Sequence, residues 1–342
     1  MVHPQVAAAL LQRWGAAEGV EKSSIGNSTL VHSAKPTHTI HSKHRPCIRS
    51  PTSREDGGES RAVALSSECS IGIAATKSHG FIHKLIVHPI VSQSFLECCA
   101  GTCRIARACA QIGIPSESFE IQRNKLESIC SGHFWRSFSR RIQEKGISGI
   151  WNGITCASFC RARRGNPDYS GWPPPLRDDQ EGIYGLKGLS DKDQHRVFLG
   201  NQLALVTARM IRVCMKHGVP FFLENPKTSR LWIFPPIKKL VASCSQIVVF
   251  DHCQYGGETR KSTQIAIWGC KVEGLDSRCS YKNGVCSQRG RAHTILTGID
   301  HTSKEFRTAA GAAYPFAFCQ KFAESFKTHL FWKGKGYAVA GG

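Results

Sequence analysis

No uninterrupted apolar run in this chain approaches the ~20 residues that cross a bilayer, so no membrane partner is expected. No secretory signal opens it. Without one, the 16 cysteines do not read as a disulfide scaffold. They read as thiols of a reduced, intracellular protein, with Cys98-Cys99, Cys156 and Cys160 inside strand-like or reactive-looking segments. The chain also lacks G-x-G-x-x-G, which excludes the usual NAD and FAD cradle. It has no G-x-x-x-x-G-K-[ST] and no G-x-S-x-G, which argues against phosphate-loop and serine-hydrolase chemistry. Acid is scarce: 25 Asp and Glu face 45 Lys and Arg, for a formal net charge of +20.

That charge favours a polyanionic partner, with nucleic acid first. Its placement sharpens the reading. Residues 1–90 carry 10 Lys and Arg against 6 Asp and Glu, so +16 of the +20 falls on residues 91–342. The excess lies on the part expected to fold. Residues 1–90 are rich in Ser, His and Thr, lack sustained periodicity and read as largely disordered, apart from a short helix over Ala7–Trp14. Residues 22–54 contain no acid, as an organelle transit segment would, although Glu18 and Glu21 oppose that reading.

From Ser92 the pattern alternates strand and helix, the signature of an α/β sheet. Strands are expected at 94–97, 118–121, 149–151, 219–223, 247–250 and 264–268. Helices are expected at 104–112, at 191–217 and over 309–327, with a long loop at 163–190. An irregular, basic, Cys-containing insert occupies 271–293. One domain over 91–342 accounts for these elements.

Three strand ends carry chemistry, and a doubly wound sheet gathers such ends at one crevice. The first runs into Cys98-Cys99-Ala100-Gly101-Thr102 and a helix, a turn able to cradle a nucleotide-like ligand. Glu120, about twenty residues on, stands where a carboxylate grips ribose hydroxyls. The second end runs into Gly153-Ile154-Thr155-Cys156-Ala157-Ser158-Phe159-Cys160. The third is Glu224-Asn225-Pro226. A cysteine adds to the electron-poor C6 of a cytosine ring, and a nearby Glu serves as the acid at N3. Cys156 and Glu224 suit those roles, with Cys160 as the rival nucleophile.

On these residues the chain resembles the DNA cytosine-5 methyltransferase family, over roughly residues 92–325. It also resembles a divergent methyltransferase-like group associated with mobile elements, through Ser229-Arg230-Leu231-Trp232. Phe95 to Thr102 is similar to the family's AdoMet motif and 153–160 to its nucleophile loop. Glu224-Asn225-Pro226 is similar to Glu-Asn-Val, and Glu258-Thr259-Arg260-Lys261 to its Gln-x-Arg-x-Arg segment. The chain departs at Thr155, where the family has proline, at Cys99 and Cys103 in the Gly turn, and at Pro226. The resemblance implies a Rossmann-like AdoMet-dependent methyltransferase fold with a small C-terminal insert. It implies S-adenosyl-L-methionine as cofactor, DNA as partner and, from that substrate, a nuclear location. It assigns catalysis to Cys156, Glu224 and Arg260. Cofactor binding falls to Phe95, Glu97, Ala100, Gly101, Thr102, Glu120 and Asn225. Nucleic-acid contact falls to Arg161, Arg163, Arg164 and Lys261.

Two other activities stay open. An amino-group methyltransferase would need an Asp/Asn-Pro-Pro-aromatic tetrad where Gly-Ile-Thr-Cys stands. A nucleic-acid-binding relic would keep the fold without turnover. No metal is assigned, because the Cys279, Cys286 and His293 spacing is wider than structural zinc pairs usually show, although Cys253 or Cys270 could join them. Tyr314-Pro315 and the helix after them are read as core packing, with closure over the cofactor as the alternative.

Overall fold

A computed structural model describes residues 93–163, 173–296, 298–299, 306–309 and 311–334. The chain divides into two units, Met1–Ile86 and Val87–Gly342, and the described residues all belong to the second. The expectations for residues 1–90, and for Arg164, lie outside the described residues.

Six strands form one mixed sheet: β1 (Ser94–Cys98), β2 (Ser116–Phe119), β3 (Ile147–Asn152), β4 (Phe221–Pro226), β5 (Gln246–Asp251) and β6 (Ser262–Trp268). Their spatial order is β2-β1-β3-β4-β6-β5. The first four run parallel, and β6 inserts antiparallel to both β4 and β5. The architecture is α/β and compatible with a Rossmann-like fold. The antiparallel β6 makes the sheet mixed, which strand periodicity could not reveal. The chain leaves β1 outward to β2 and returns on β1's other side as β3, so the topological switch point lies between β1 and β3. Ligands of open α/β sheets bind outside the strand C-termini at such a point.

Among the described residues five helices cover the sheet: α1 (Arg104–Gln111), α2 (Gly132–Gln143), α3 (Asp191–His217), α4 (Pro235–Val241) and α5 (Phe316–Gly334). The inner strands β1, β3, β4 and β6 are buried on both faces and their side chains alternate between two cores. Leu96, Ile150, Phe221 and Leu223 pack with residues of α2, α3 and α4. Phe95, Trp151, Phe222 and Ile265 pack with Ile105 and Ala108 of α1 and Phe318, Phe322 and Phe326 of α5.

The helices stand where their ends allow. Ser190 Oγ accepts from Asp193 N–H at the start of α3, Asp191 and Asp193 face its positive end, and Gly218 closes it in the left-handed conformation. By length and mean hydropathy α3 is apolar enough to cross a membrane, although it holds no uninterrupted apolar run. Half of its most apolar window is buried within the fold, however, as in the core helix of a folded domain. Two helices went unread in the sequence. α2 starts at the Ser131 cap and buries Phe134, Trp135, Phe138 and Ile142, and α4 is a short Pro-initiated helix. β2 sits two residues earlier than expected, which places Glu120 just beyond its end.

Candidate active site

The turn after β1 is built on left-handed backbone: Cys99, Gly101 and Cys103 have φ of 52°, 50° and 56°. A Cβ on Gly101 would meet nothing within 4 Å, so its requirement is the positive φ and not space. Glu120 Oε2 accepts the Gly101 N–H at 2.8 Å and Oε1 accepts from Gln122 N–H at 3.0 Å. The acid and the turn are therefore one unit at the switch point, a fit to a ligand with ribose hydroxyls. Ala100 is buried, whereas Gly101 and Thr102 are exposed. Phe95 and Glu97 stand elsewhere. Phe95 is wholly buried against Phe222, Phe322 and Phe326, a core position. Glu97 Oε2 accepts the Ala106 N–H at 2.8 Å. It thereby caps α1, whose own cap residue, Cys103, offers no side-chain bond. Burial pushes the Glu97 carboxyl up to about 7, and its Oε1 has no partner.

The end of β3 and the end of β4 are stitched together. Asn225 Nδ2 donates to the Ile154 carbonyl at 2.8 Å, so the Glu-Asn pair fixes the loop that carries Cys156. Glu224 is 5% exposed. Burial raises its pKa, opposed by the charge of Lys261 and by the Tyr314 hydroxyl, which donates to Glu224 Oε2 at 2.7 Å. Glu224 Oε1 is buried and unpartnered. Trp151 Nε1 donates to Tyr314 Oη at 3.3 Å, and Arg104 Nη1 donates to the Tyr314 carbonyl at 2.5 Å. The segment leading into α5 thus closes over the site from the α1 side. Tyr314 is more than core packing. At Gly153 a Cβ would come within 2.6 Å of Tyr314 Oη, so only glycine admits this approach.

Cys156 lies in the same electrostatic neighbourhood. Its hydrogen bond with the Cys160 thiol, then burial, holds its pKa well above the ordinary thiol range, with Glu224 adding and Lys261 opposing. Cys160 behaves oppositely. The hydrogen bond from Cys156, the Ala162 N–H at 3.3 Å and the nearby Arg163 lower it to about 6. The two thiols are thus set apart, with the thiolate favoured on Cys160 over Cys156.

The arginines are arranged otherwise than the sequence suggested. Arg260, expected at the base, turns toward Asp251, 3.7 Å away, and the Tyr281 ring. The cation whose charge acts on both Cys156 and Glu224 is Lys261. Arg161 pairs with Asp179 at 2.7 Å and donates to the Thr228 carbonyl. Arg163 pairs with Asp193 at 3.3 Å and donates to the Pro174 carbonyl. Both hold the nucleophile loop to the domain.

Arg177 carried no signal in the sequence because it sits in a Pro-rich stretch read as mobile loop. It is wholly buried and donates to Ser158 Oγ, Asn201 Oδ1 and the carbonyls of Ile183 and Val197. Its guanidinium also lies 3.9 Å from the Phe159 ring centroid. Burial, with the nearby Arg230 charge, lowers it to about 9. It clamps the Ser158-Phe159 turn to α3. His252, also unforeseen, is buried at the end of β5, held neutral by burial with a pKa lowered to about 3, and bonded to Thr263 Oγ1.

No protein-family model matches this chain, and no curated protein matches it.

Proposed function

We propose that this chain is an AdoMet-dependent methyltransferase that moves a methyl group to C5 of cytosine in DNA. One observation carries the reading. Cys156 and a buried Glu224, whose carboxyl pKa is raised by that burial, share the ends of β3 and β4, with Lys261 acting on both.

Tyr314 donates to Glu224 Oε2, so the carboxyl proton belongs on the unpartnered Oε1. That O–H is the donor for the ring N3. Hydrogen bonding there draws electrons from C6 and readies it for attack. Cys156 adds to C6 as its thiol proton passes to the neighbouring Cys160, whose pKa is the lower of the two. The C6–S bond forms, and the electron pair of the C5–C6 bond moves to C5. AdoMet, when bound, would supply an electrophilic methyl to C5, its S–CH3 bond breaking to leave S-adenosylhomocysteine. Loss of the C5 proton to water and cleavage of the C6–S bond release 5-methylcytosine, and the N3 proton returns to Glu224. The Gly101 turn and Glu120 are the groups that would hold AdoMet. The basic surface supports DNA as the partner, and the nucleus follows from that substrate.

The test is tritium transfer from labelled AdoMet to duplex DNA, wild type beside Cys156→Ala. Counts in the wild type that vanish in the variant support the reading. Transfer that survives in Cys156→Ala, with label on an exocyclic nitrogen, replaces it with amino-group methylation. Absence of transfer from both replaces it with a nucleic-acid-binding protein without turnover. The raised pKa of the Cys156 thiol favours that second alternative.

A further inference from the structure

The four residues Cys253, Cys279, Cys286 and His293 bring one ligand atom each to within 4.8 Å of one another. They come from distant parts of the chain. Cys253 lies in the turn His252–Tyr255 that follows β5. The other three lie in the irregular segment after β6. A zinc ion with Zn–S of about 2.3 Å and Zn–N of about 2.0 Å in tetrahedral geometry implies S···S edges of about 3.8 Å and S···N edges of about 3.6 Å. Cys279 Sγ lies 3.9 Å from Cys286 Sγ and 3.7 Å from His293 Nε2. We propose that these four side chains form a structural Cys3His zinc site.

The surroundings fit a metal better than packing. Cys253, Cys279 and Cys286 form a buried cluster apart from both cores, with no aliphatic or aromatic member. Three buried thiols beside an imidazole are a soft donor set suited to zinc. Polar hydrogens point at the sulfurs. Ser287 N–H and Ser287 Oγ lie 3.5 and 3.6 Å from Cys279 Sγ, and Gln254 Nε2 lies 3.7 Å from Cys253 Sγ. Such contacts support a thiolate, whereas an apolar thiol has no use for them. The chain between ligands turns sharply through left-handed Tyr281 and Asn283. Asp251 Oδ2 accepts the Cys279 N–H at 2.9 Å, which ties the first insert ligand to the end of β5.

The site gives the insert a reason to be ordered. Residues 271–293 contain no helix and only an isolated bridge, Lys282 to Val285. Val272 and Leu275 pack in the second core, but beyond Leu275 the segment buries no apolar side chain except Cys279 and Cys286, and zinc binding supplies the missing folding energy. The same tether holds Arg289 and Thr294 on the carbonyl of Glu258, two residues before Arg260. The inference does not depend on the methyltransferase reading and survives its failure.

The experiment is metal analysis of the full-length protein, purified without chelator, with zinc K-edge absorption. About one zinc per chain, with three sulfurs at about 2.3 Å and one nitrogen at about 2.0 Å, is the expected result. Cys286→Ser and His293→Ala each lose the metal. Where Cys286→Ser fails to fold, His293→Cys decides, because it retains zinc and converts the shell to all sulfur. Purification without zinc and with free, alkylatable thiols overturns the proposal. So does iron in place of zinc, or a Cys279–Cys286 disulfide found by mass spectrometry of the unreduced protein.

Discussion

The two thiols of the nucleophile loop divide their chemistry. Cys160 is held down to about 6, chiefly by its coupling to Cys156, so its thiolate is the favoured one of the pair. Iodoacetamide at neutral pH therefore labels Cys160 ahead of Cys156, with a midpoint near pH 6 by peptide mass spectrometry. Cys156→Ala removes the largest cause, and the midpoint moves toward the ordinary thiol value of about 8.5. Equal labelling of both residues would overturn the assignment. Glu97 offers a separate test through linkage. Its folded pKa is raised from 4.5 to about 7, so the folded state keeps a proton that the unfolded chain releases. Its stabilising contribution is complete below about pH 4.5 and is lost as pH rises through about 7. Glu97→Gln keeps an acceptor for the Ala106 N–H and cannot titrate. Between those limits the wild type should lose on the order of 3 kcal/mol relative to the variant, read from denaturant melts at each pH. Parallel pH profiles would remove Glu97 as the titrating group.

At the scale of elements, the nucleophile loop is held by a buried arginine and not by its own sequence. Arg177 reaches Ser158 on the loop and two backbone carbonyls, one of them in α3. Arg177→Met keeps an apolar stem of similar length and leaves those acceptors unpaired in the interior. We expect a loss of about 2–4 kcal/mol in stability, measured by urea unfolding. On the methyltransferase reading proposed above, kcat should fall further than KM rises, because the wholly buried Arg177 positions the loop. An unchanged melt would mean that the clamp is not structural. Elements differ in how plainly they could be read. α3 was legible to the residue because Ser190 and Gly218 cap it, and Asp191 and Lys216 match its dipole. α2 was not, although Phe134, Phe138 and Ile142 have helical spacing, because a glycine opens it and basic residues dilute the stripe.

For the whole molecule, charge makes the simplest prediction. With +16 on residues 91–342, duplex DNA binding should be dominated by released counterions. Affinity should drop by on the order of 10³ between about 50 and about 200 mM salt, measured by fluorescence anisotropy. A flat salt dependence would argue against DNA as the partner. Arg161 and Arg163 are held in internal pairs with Asp179 and Asp193, so their removal should act on loop stability before it acts on phosphate contact.

The sequence alone determined the alternation of strand and helix, the Gly101 turn, and Cys156 and Glu224 as residues at strand ends. These follow from local periodicity, turn chemistry and the rule that α/β sheets gather ligands at their strand C-termini. It could not determine what distant side chains do to one another. The antiparallel insertion of β6, the Tyr314 hydroxyl on Glu224, the use of Lys261 rather than Arg260 beside the thiol, and the convergence of Cys253 with Cys279, Cys286 and His293 were decided by tertiary structure. Each joins residues far apart in the chain or turns one neighbour rather than another toward the site. Such choices are set by packing and burial, which no local pattern encodes.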